Sequence, residues 1–120
     1  MGGARRRQQA VSELSGVDVI SEAEQVWLLI KHRLRREMWR RILIADEPLS
    51  SKELAEETRA PLANAAYHMS VLLEGDAITL VKKCPRRGSF QRFYGPTVKF
   101  DRRRVLAMIA ELNGESSEGA

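Results

Sequence analysis

Cysteine is nearly absent from this chain. Cys84 is the only one in 120 residues, which excludes an internal disulfide and any multi-thiolate metal site within one chain. Long apolar runs are missing too: no stretch approaches the roughly 18–20 uninterrupted apolar residues that a membrane span needs. The start, Met1 to Arg7, carries charge with no apolar stretch behind it, so a secretory signal is not expected. A reducing cytoplasm is the expected setting, with no membrane partner. Also lacking are paired carboxylates beside a His, an activated nucleophile and a Gly-rich phosphate loop. An enzyme is not expected, and neither a metal nor a cofactor is implied.

What is present is charge, unevenly placed. Lys and Arg number 20 against 16 Asp and Glu, a formal net charge of +4. The resulting pI of about 9.6 points only weakly to an anionic partner. The distribution says more. From Lys31 to Arg41 the chain reads KHRLRREMWRR with Glu37 as its only acid, and from Lys82 to Arg104 only Asp101 is acidic. Between Asp46 and Asp76 acids outnumber bases.

Periodicity divides the chain into helices and one hairpin. Residues 1–17, with Gly, Gln, Ser and a triple Arg, read as a flexible basic arm. Ser21 and Glu24 have capping-box spacing, and Val26, Leu29 and Ile30 follow at helical intervals, giving a helix over about 21–30. A second helix over about 32–45 carries Leu34, Met38, Ile42 and Ala45 on one face, and no Gly or Pro separates it from the first. Asp46-Glu47-Pro48 ends it. A short helix follows over 51–58, with a serine cap and acids in its first turn. Thr58-Arg59-Ala60 is a tight connection, and Pro61 opens a helix over about 61–74 with Ala65, Met69 and Leu72 turned inward. The period then becomes two: Ile78, Leu80 and Lys82 point one way and Thr79 and Val81 the other. Pro85 to Ser89 supplies a turn, Phe90 to Tyr94 a second strand, and Gly95-Pro96 a break. A last helix over about 100–113 carries Val105, Leu106, Ile109 and Leu112, and Asn113-Gly114 closes it. Residues 114–120 read as a disordered tail.

A helix-turn-helix followed by a β-hairpin is the winged-helix arrangement. The expected fold is therefore mainly α with a β-hairpin wing, one domain over 18–113. The run ELAEETRAPLANAAYHMSVLLEGDAITLV resembles the core of ArsR-like winged helix-turn-helix regulators. Leu54-Ala55-Glu56 hold the place of that family's Leu-Ala-Glu, and Tyr67-His68-Met69-Ser70-Val71-Leu72 that of its Tyr-His-Leu-x-x-Leu pattern. LRREMWRRIL resembles the preceding helix, and RRGSFQRFYGPT the wing. The resemblance implies that helix 61–74 enters the major groove of double-stranded DNA while the wing touches the backbone or minor groove. It also implies a homodimer through the first and last helices, involving Val26, Trp27, Ile30, Val105, Leu106, Ile109 and Leu112. Arg59 stands where that family's turn often has Gly, so a non-glycine residue is expected to bear a costly backbone conformation there; Asp76 stands where the family often has Gly before the wing. The paired cysteines of its metal-sensing members are missing at Ser51 to Leu54, so metal sensing of that type is not expected.

The residue chemistry names candidate contacts. Leu62, Ala63, Asn64, Ala66, Tyr67 and Ser70 fall on the outer side of helix 61–74, where an Asn can pair bidentately with adenine and an Ala methyl can meet a thymine methyl. Against base reading stands the absence of any Arg or Lys on that face, which would equally suit a helix packed on a protein. Ser51 and Lys52 open the helix before it and join the DNA-facing set. His68 is either a phosphate donor or a packed residue. Lys82, Lys83, Arg86, Arg87 and Arg92 make the wing a phosphate clamp or a solvated hairpin. Arg33, Arg36 and Arg40 either reach the DNA backbone or pair with the acids of 53–57, and pairing is favoured. Cys84 beside Lys83 is a thiol sensor or incidental. Trp27 and Trp39 are core or interface anchors. The leading expectation is a DNA-binding dimeric regulator. Its rivals are a protein interaction module, motivated by the acidic 46–76 segment, and a nonspecific architectural DNA binder. Whether a small-molecule effector exists stays open.

Overall fold

The computed structural model describes residues 21–115. The basic arm of 1–17 and the tail beyond 115 lie outside the described residues. The elements are α1 (Glu22–Ile30), α2 (Arg33–Ile44), α3 (Ser51–Thr58), α4 (Leu62–Glu74), β1 (Ile78–Arg86), β2 (Ser89–Pro96) and α5 (Arg102–Leu112). The two strands pair antiparallel as a hairpin. Among the described residues no helix is long and apolar enough to cross a membrane.

Helix starts follow local chemistry. Ser21 and Glu24 form a reciprocal capping box at α1, and Ser50 and Glu53 form another at α3, each satisfying two orphan backbone donors. The Asp101 carboxylate accepts from the Arg103 and Arg104 amides at the head of α5. Helix ends are equally regular. At α3 the Ala60 amide donates to Ala55 O and the Arg59 amide to Glu56 O; at α4 the Ala77 amide donates to Leu72 O and the Asp76 amide to Leu73 O. Both are Schellman closures, which put the residue after the cap in the left-handed region. Arg59 and Asp76 accordingly have φ of 59° and 61°; the first is the costly conformation expected at Arg59, and the second was not expected from the sequence. Gly114 and Glu115, expected in the tail, close α5 in the same way.

The core is one cluster from every helix and the base of the hairpin: Val26, Leu29 and Ile30 from α1, Met38, Trp39, Ile42 and Leu43 from α2, Leu54 and Ala55 from α3, Ala65, Met69 and Leu72 from α4, Ala77 and Ile78, Phe100, and Val105 and Ile109 from α5. The two tryptophans divide: Trp39 is 1% exposed and meets Phe100 edge-on with centroids 5.5 Å apart, while Trp27 is 45% exposed. Four residues expected at a dimer interface, Val26, Ile30, Val105 and Ile109, are instead buried within one chain. They fill the space between α1, α2 and α5, a volume that side chains on only one face of each helix can reach. Trp27 and Leu112 remain exposed, and Leu106 is half-buried.

The chain does break between α1 and α2, although no Gly or Pro stands there. Lys31 and His32 form a bend, and two arginines of α2 occupy the exposed helix end. Arg35 donates to Leu28 O at 3.1 Å and Leu29 O at 2.9 Å, and Arg36 donates to Ile30 O at 2.8 Å. Cationic donors are favourable at the negative end of a helix, and they satisfy carbonyls left without intrahelical partners. Of the arginines expected to pair with the 53–57 acids, Arg36 bonds Asn113 Oδ1 and Arg40 bonds Glu37 within its own helix; Arg41 reaches Glu57 instead. Helical spacing explains the change, because Arg40 and Arg41 lie three and four residues from Glu37.

The hairpin is longer than its alternation suggests. Cys84, Pro85 and Arg86 belong to β1, and Gly95 and Pro96 to β2, where they pair with Thr79 and Ile78 rather than ending the strand. A two-stranded ribbon has free edges, so a proline without an amide costs no ladder bond when it faces outward. A bulge between Leu80 and Lys82 leaves Val81 without a register partner, which breaks the expected alternation. Gly95 permits that crowding, because a Cβ there would lie 3.1 Å from Val81 Cγ2. The turn is Arg87-Gly88, with φ of 44° and 80°.

Candidate nucleic-acid interface

Helix α4 presents two faces of different character. Inward, Ala65, His68, Met69 and Leu72 are buried against the other helices. Outward, Leu62, Ala63, Asn64, Ala66, Tyr67 and Ser70 are all exposed, as expected. Leu62 is 53% and Tyr67 61% exposed. The Ser70 hydroxyl donates to Tyr67 O at 2.6 Å, so its lone pairs rather than its proton face outward. Asn64 keeps its side-chain amide clear at the start of the helix, where its backbone amide donates to Pro61 O.

His68 belongs to the other face and is no DNA contact. It is 5% exposed, and its Nδ1 lies 3.2 Å from Arg35 Nη1. An arginine can only donate, so Nδ1 accepts and the imidazole proton sits on Nε2. Burial is the main reason its pKa falls to about 4, with His32 and Arg35 adding repulsion. The His32 ring packs over it at a centroid distance of 4.1 Å. Burial likewise lowers the Arg35 pKa, although a guanidinium stays charged at any ordinary pH. Arg35 thus links the end of α1 to the back of α4, a role that one more arginine in a basic run does not announce.

The wing is fixed to this unit at two points. Leu49 and Tyr94 exchange backbone bonds of 2.9 and 2.8 Å, adding a one-residue third strand. Gln91 Nε2 donates to Ser50 Oγ at 3.0 Å, while Gln91 Oε1 accepts from Arg86 Nη1 at 2.6 Å. Ser50 therefore caps α3 and holds the hairpin at once. Sequence reasoning missed Ser50, Gln91 and the Leu49 bridge. A lone bridging residue carries no periodic signal.

The strand register gives the wing two faces. Gln91, Cys84, Lys82, Phe93 and Arg86 share one face, which Gln91 joins to the helices through Ser50 while Lys82 and Arg86 stay exposed. Lys83, Arg92, Pro85 and Phe90 share the other. Lys83 and Arg92 stand directly opposite one another and are exposed, a like-charge pair that disfavours the hairpin unless an anion lies against it. Lys82 and Lys83 lie over the Phe93 and Phe90 rings at 5.1 and 5.3 Å, which holds both ammonium groups along the ribbon. Arg87 is exposed at the turn. Ser51 is half-buried at the head of α3, and Lys52 is exposed but 3.9 Å from Glu56, a surface pair of small energetic weight. Glu37, bonded by Arg40 and Arg41, has its carboxyl held below the usual range chiefly by the Arg40 hydrogen bond. No group of three or more His, Cys, Asp or Glu side chains able to hold a metal occurs among the described residues.

Residues 31–81, which span α2, α3, α4 and the start of β1, match a family described as a helix-turn-helix domain. With the hairpin that follows, the architecture is settled. The fold is a winged helix-turn-helix. In helix-turn-helix units that bind DNA the second helix of the pair is the reading element, and the second helix of the pair here is α4. The matched segment ends as the wing begins, so the hairpin and α5 complete the fold beyond it. Among curated proteins no sequence matches the chain.

Proposed function

We propose that this protein is a transcriptional regulator that binds double-stranded DNA as a homodimer, in the manner of ArsR-like regulators, and is not an enzyme. Helix α4 enters the major groove and the wing follows the backbone. The observation that carries the reading is the exposed, cation-free face of α4 held beside a wing whose outer face bears opposed Lys83 and Arg92. The first surface suits base edges and methyl groups; the second suits phosphates. Dimerisation is supported by the exposed Trp27, Leu28 and Leu112 on α1 and α5, beside a groove of about 410 Å³ lined by Trp27, Ile30, Met108, Glu111 and Leu112. Aromatic anchors of this kind dominate interfaces. Two-fold docking would place the two α4 helices roughly 34 Å apart, one DNA turn.

A second reading has its own support. The exposed Leu62, Tyr67 and Leu73 on α4 suit a protein partner as well as thymine methyls. Selection of bound sequences from a random duplex library at about 150 mM salt, where counterion release still permits specific binding, separates the two. Enrichment of an inverted repeat, with a dimer in light scattering, is the expected outcome. Binding without enrichment leaves an architectural role. Absence of binding transfers the α4 face to a protein partner.

A further inference from the structure

An open groove of about 980 Å³ runs between α2, the α3–α4 turn, the head of α4 and the end of α5. Its size is that of a small-molecule site, and its charge is unbalanced. Arg33, Arg36, Arg41 and Arg59 line it against Glu37, Glu57 and Glu115. Two of those acids are already engaged: Glu37 by Arg40 and Arg41, and Glu57 by Arg41. Among the described residues Arg33, Arg36 and Arg59 have no carboxylate partner. Arg36 is nonetheless held in place by neutral acceptors, Asn113 Oδ1 through Nε and Ile30 O through Nη1, both at 2.8 Å. Among the described residues its Nη2 has no acceptor. An anchored guanidinium in a groove that two further guanidiniums line is suited to oxyanions, which arginine binds through parallel hydrogen bonds. Leu34 and Leu112 supply apolar wall beside it.

We propose that this groove binds a small polyanion bearing clustered phosphate or carboxylate groups. Arg33, Arg36 and Arg59 hold its oxygens and Asn64 lies at its rim. Because Asn64 and Arg59 belong to the reading unit, occupancy of the groove and binding of a duplex influence each other, a coupling that rests on the DNA reading above.

The test uses inorganic pyrophosphate as the probe, titrated calorimetrically into the full chain at constant ionic strength and without DNA. A failure of the DNA reading therefore leaves this arm intact. The parent is expected to bind one equivalent, and Arg33→Glu to weaken binding about 10-fold or more, since it replaces a fork donor by a repelling charge. The control is Arg102→Glu, the same charge change at the opposite end of α5, some ~15 Å away along a helix of this length; it should shift affinity less than about twofold. No binding, or equal losses in both variants, overturns the site. Oxyanions also line a duplex, so a second arm measures duplex affinity without pyrophosphate. There Arg33→Glu should stay near the parent. A loss as large as that of an Arg86→Ala, Arg87→Ala variant would make the bound anion a backbone phosphate and overturn the proposal. Saturating pyrophosphate should change the parent's duplex affinity about fivefold or more, and an unchanged affinity overturns the coupling.

Discussion

Helix α4 and the wing stand side by side and expose surfaces of different chemistry. The exposed face of α4 has no cation: its polar groups are Asn64, Tyr67 and Ser70, set among Leu62, Ala63 and Ala66. The wing is the reverse, with Lys83, Arg86, Arg87 and Arg92 exposed on a ribbon of two short strands. Their support differs as well. α4 is held from behind by four buried side chains, whereas the outer hairpin is tied by the Leu49–Tyr94 bridge and the Gln91–Ser50 contact. On the proposed function, affinity and selectivity sit on different elements. On that reading, phosphate attraction, which salt weakens, falls to the wing, and discrimination among bases, which salt leaves nearly untouched, falls to the helix.

The largest expected effect lies behind α4 and leaves the wing alone. His68 has a folded pKa of about 4, below its ordinary 6.5, so the native state resists protonating it. Stability is full above pH 6.5, falls as the pH drops toward 4, and is flat in this respect below that. The loss reaches about 3 kcal/mol. Urea unfolding between pH 8 and 3.5 should show it, and His68→Gln should remove that part of the slope.

Next in size is the wing. Arg86→Ala with Arg87→Ala should lower duplex affinity about 10–100-fold at low salt, equally for all sequences. Fluorescence anisotropy on two unrelated duplexes checks the uniformity; a loss confined to one duplex would assign base reading to the wing. Smaller and opposite in kind is Asn64→Ala. It should cost about 5–30-fold on the preferred duplex alone, the worth of one bidentate base contact, with the salt dependence unchanged. Competition binding with scrambled duplex measures it. Smallest is Arg59→Gly, which relieves a left-handed residue at the α3 end and should stabilise the fold by roughly 0.5–1 kcal/mol. Thermal unfolding reads that gain, and a loss instead would mean that Arg59 makes a contact that outweighs its backbone cost.

The same contrast governs what the sequence revealed. Helices could be placed because caps and periods are local: Ser21 with Glu24, the serine cap of α3, and the spacing of Ala65, Met69 and Leu72 lie within a few residues of one another, although Pro61 proves to be the N-cap of α4 rather than its first helical residue. The exposed set on α4 follows from that period. The strained Arg59 was legible through its place in the family pattern, whereas the same conformation at Asp76 was not foreseen. The hairpin was harder. Pro85 and Gly95-Pro96 look like breaks, yet a ribbon with free edges admits them, and the bulge at Val81 depends on a partner strand that sequence alone does not supply. Least legible were contacts between distant segments. Nothing in KHRLRREMWRR singles out Arg35 as the residue that bonds the end of α1 and His68, and the apolar period of α5 does not say which residues face the chain's own core. Val26, Ile30, Val105 and Ile109 are buried within the chain, and Trp27 and Leu112 stay at the surface, because three-dimensional packing decides between two faces that share one period.

The division of labour rests on one measurable quantity, the dependence of duplex affinity on salt. Affinity of the parent and of the Arg86→Ala, Arg87→Ala variant should be measured from about 50 to 300 mM NaCl, the range over which counterion release dominates. The account predicts a steep fall for the parent and a log–log slope smaller by about 2 in the variant, one unit for each lost phosphate contact. Equal slopes, or an affinity indifferent to salt, would contradict it.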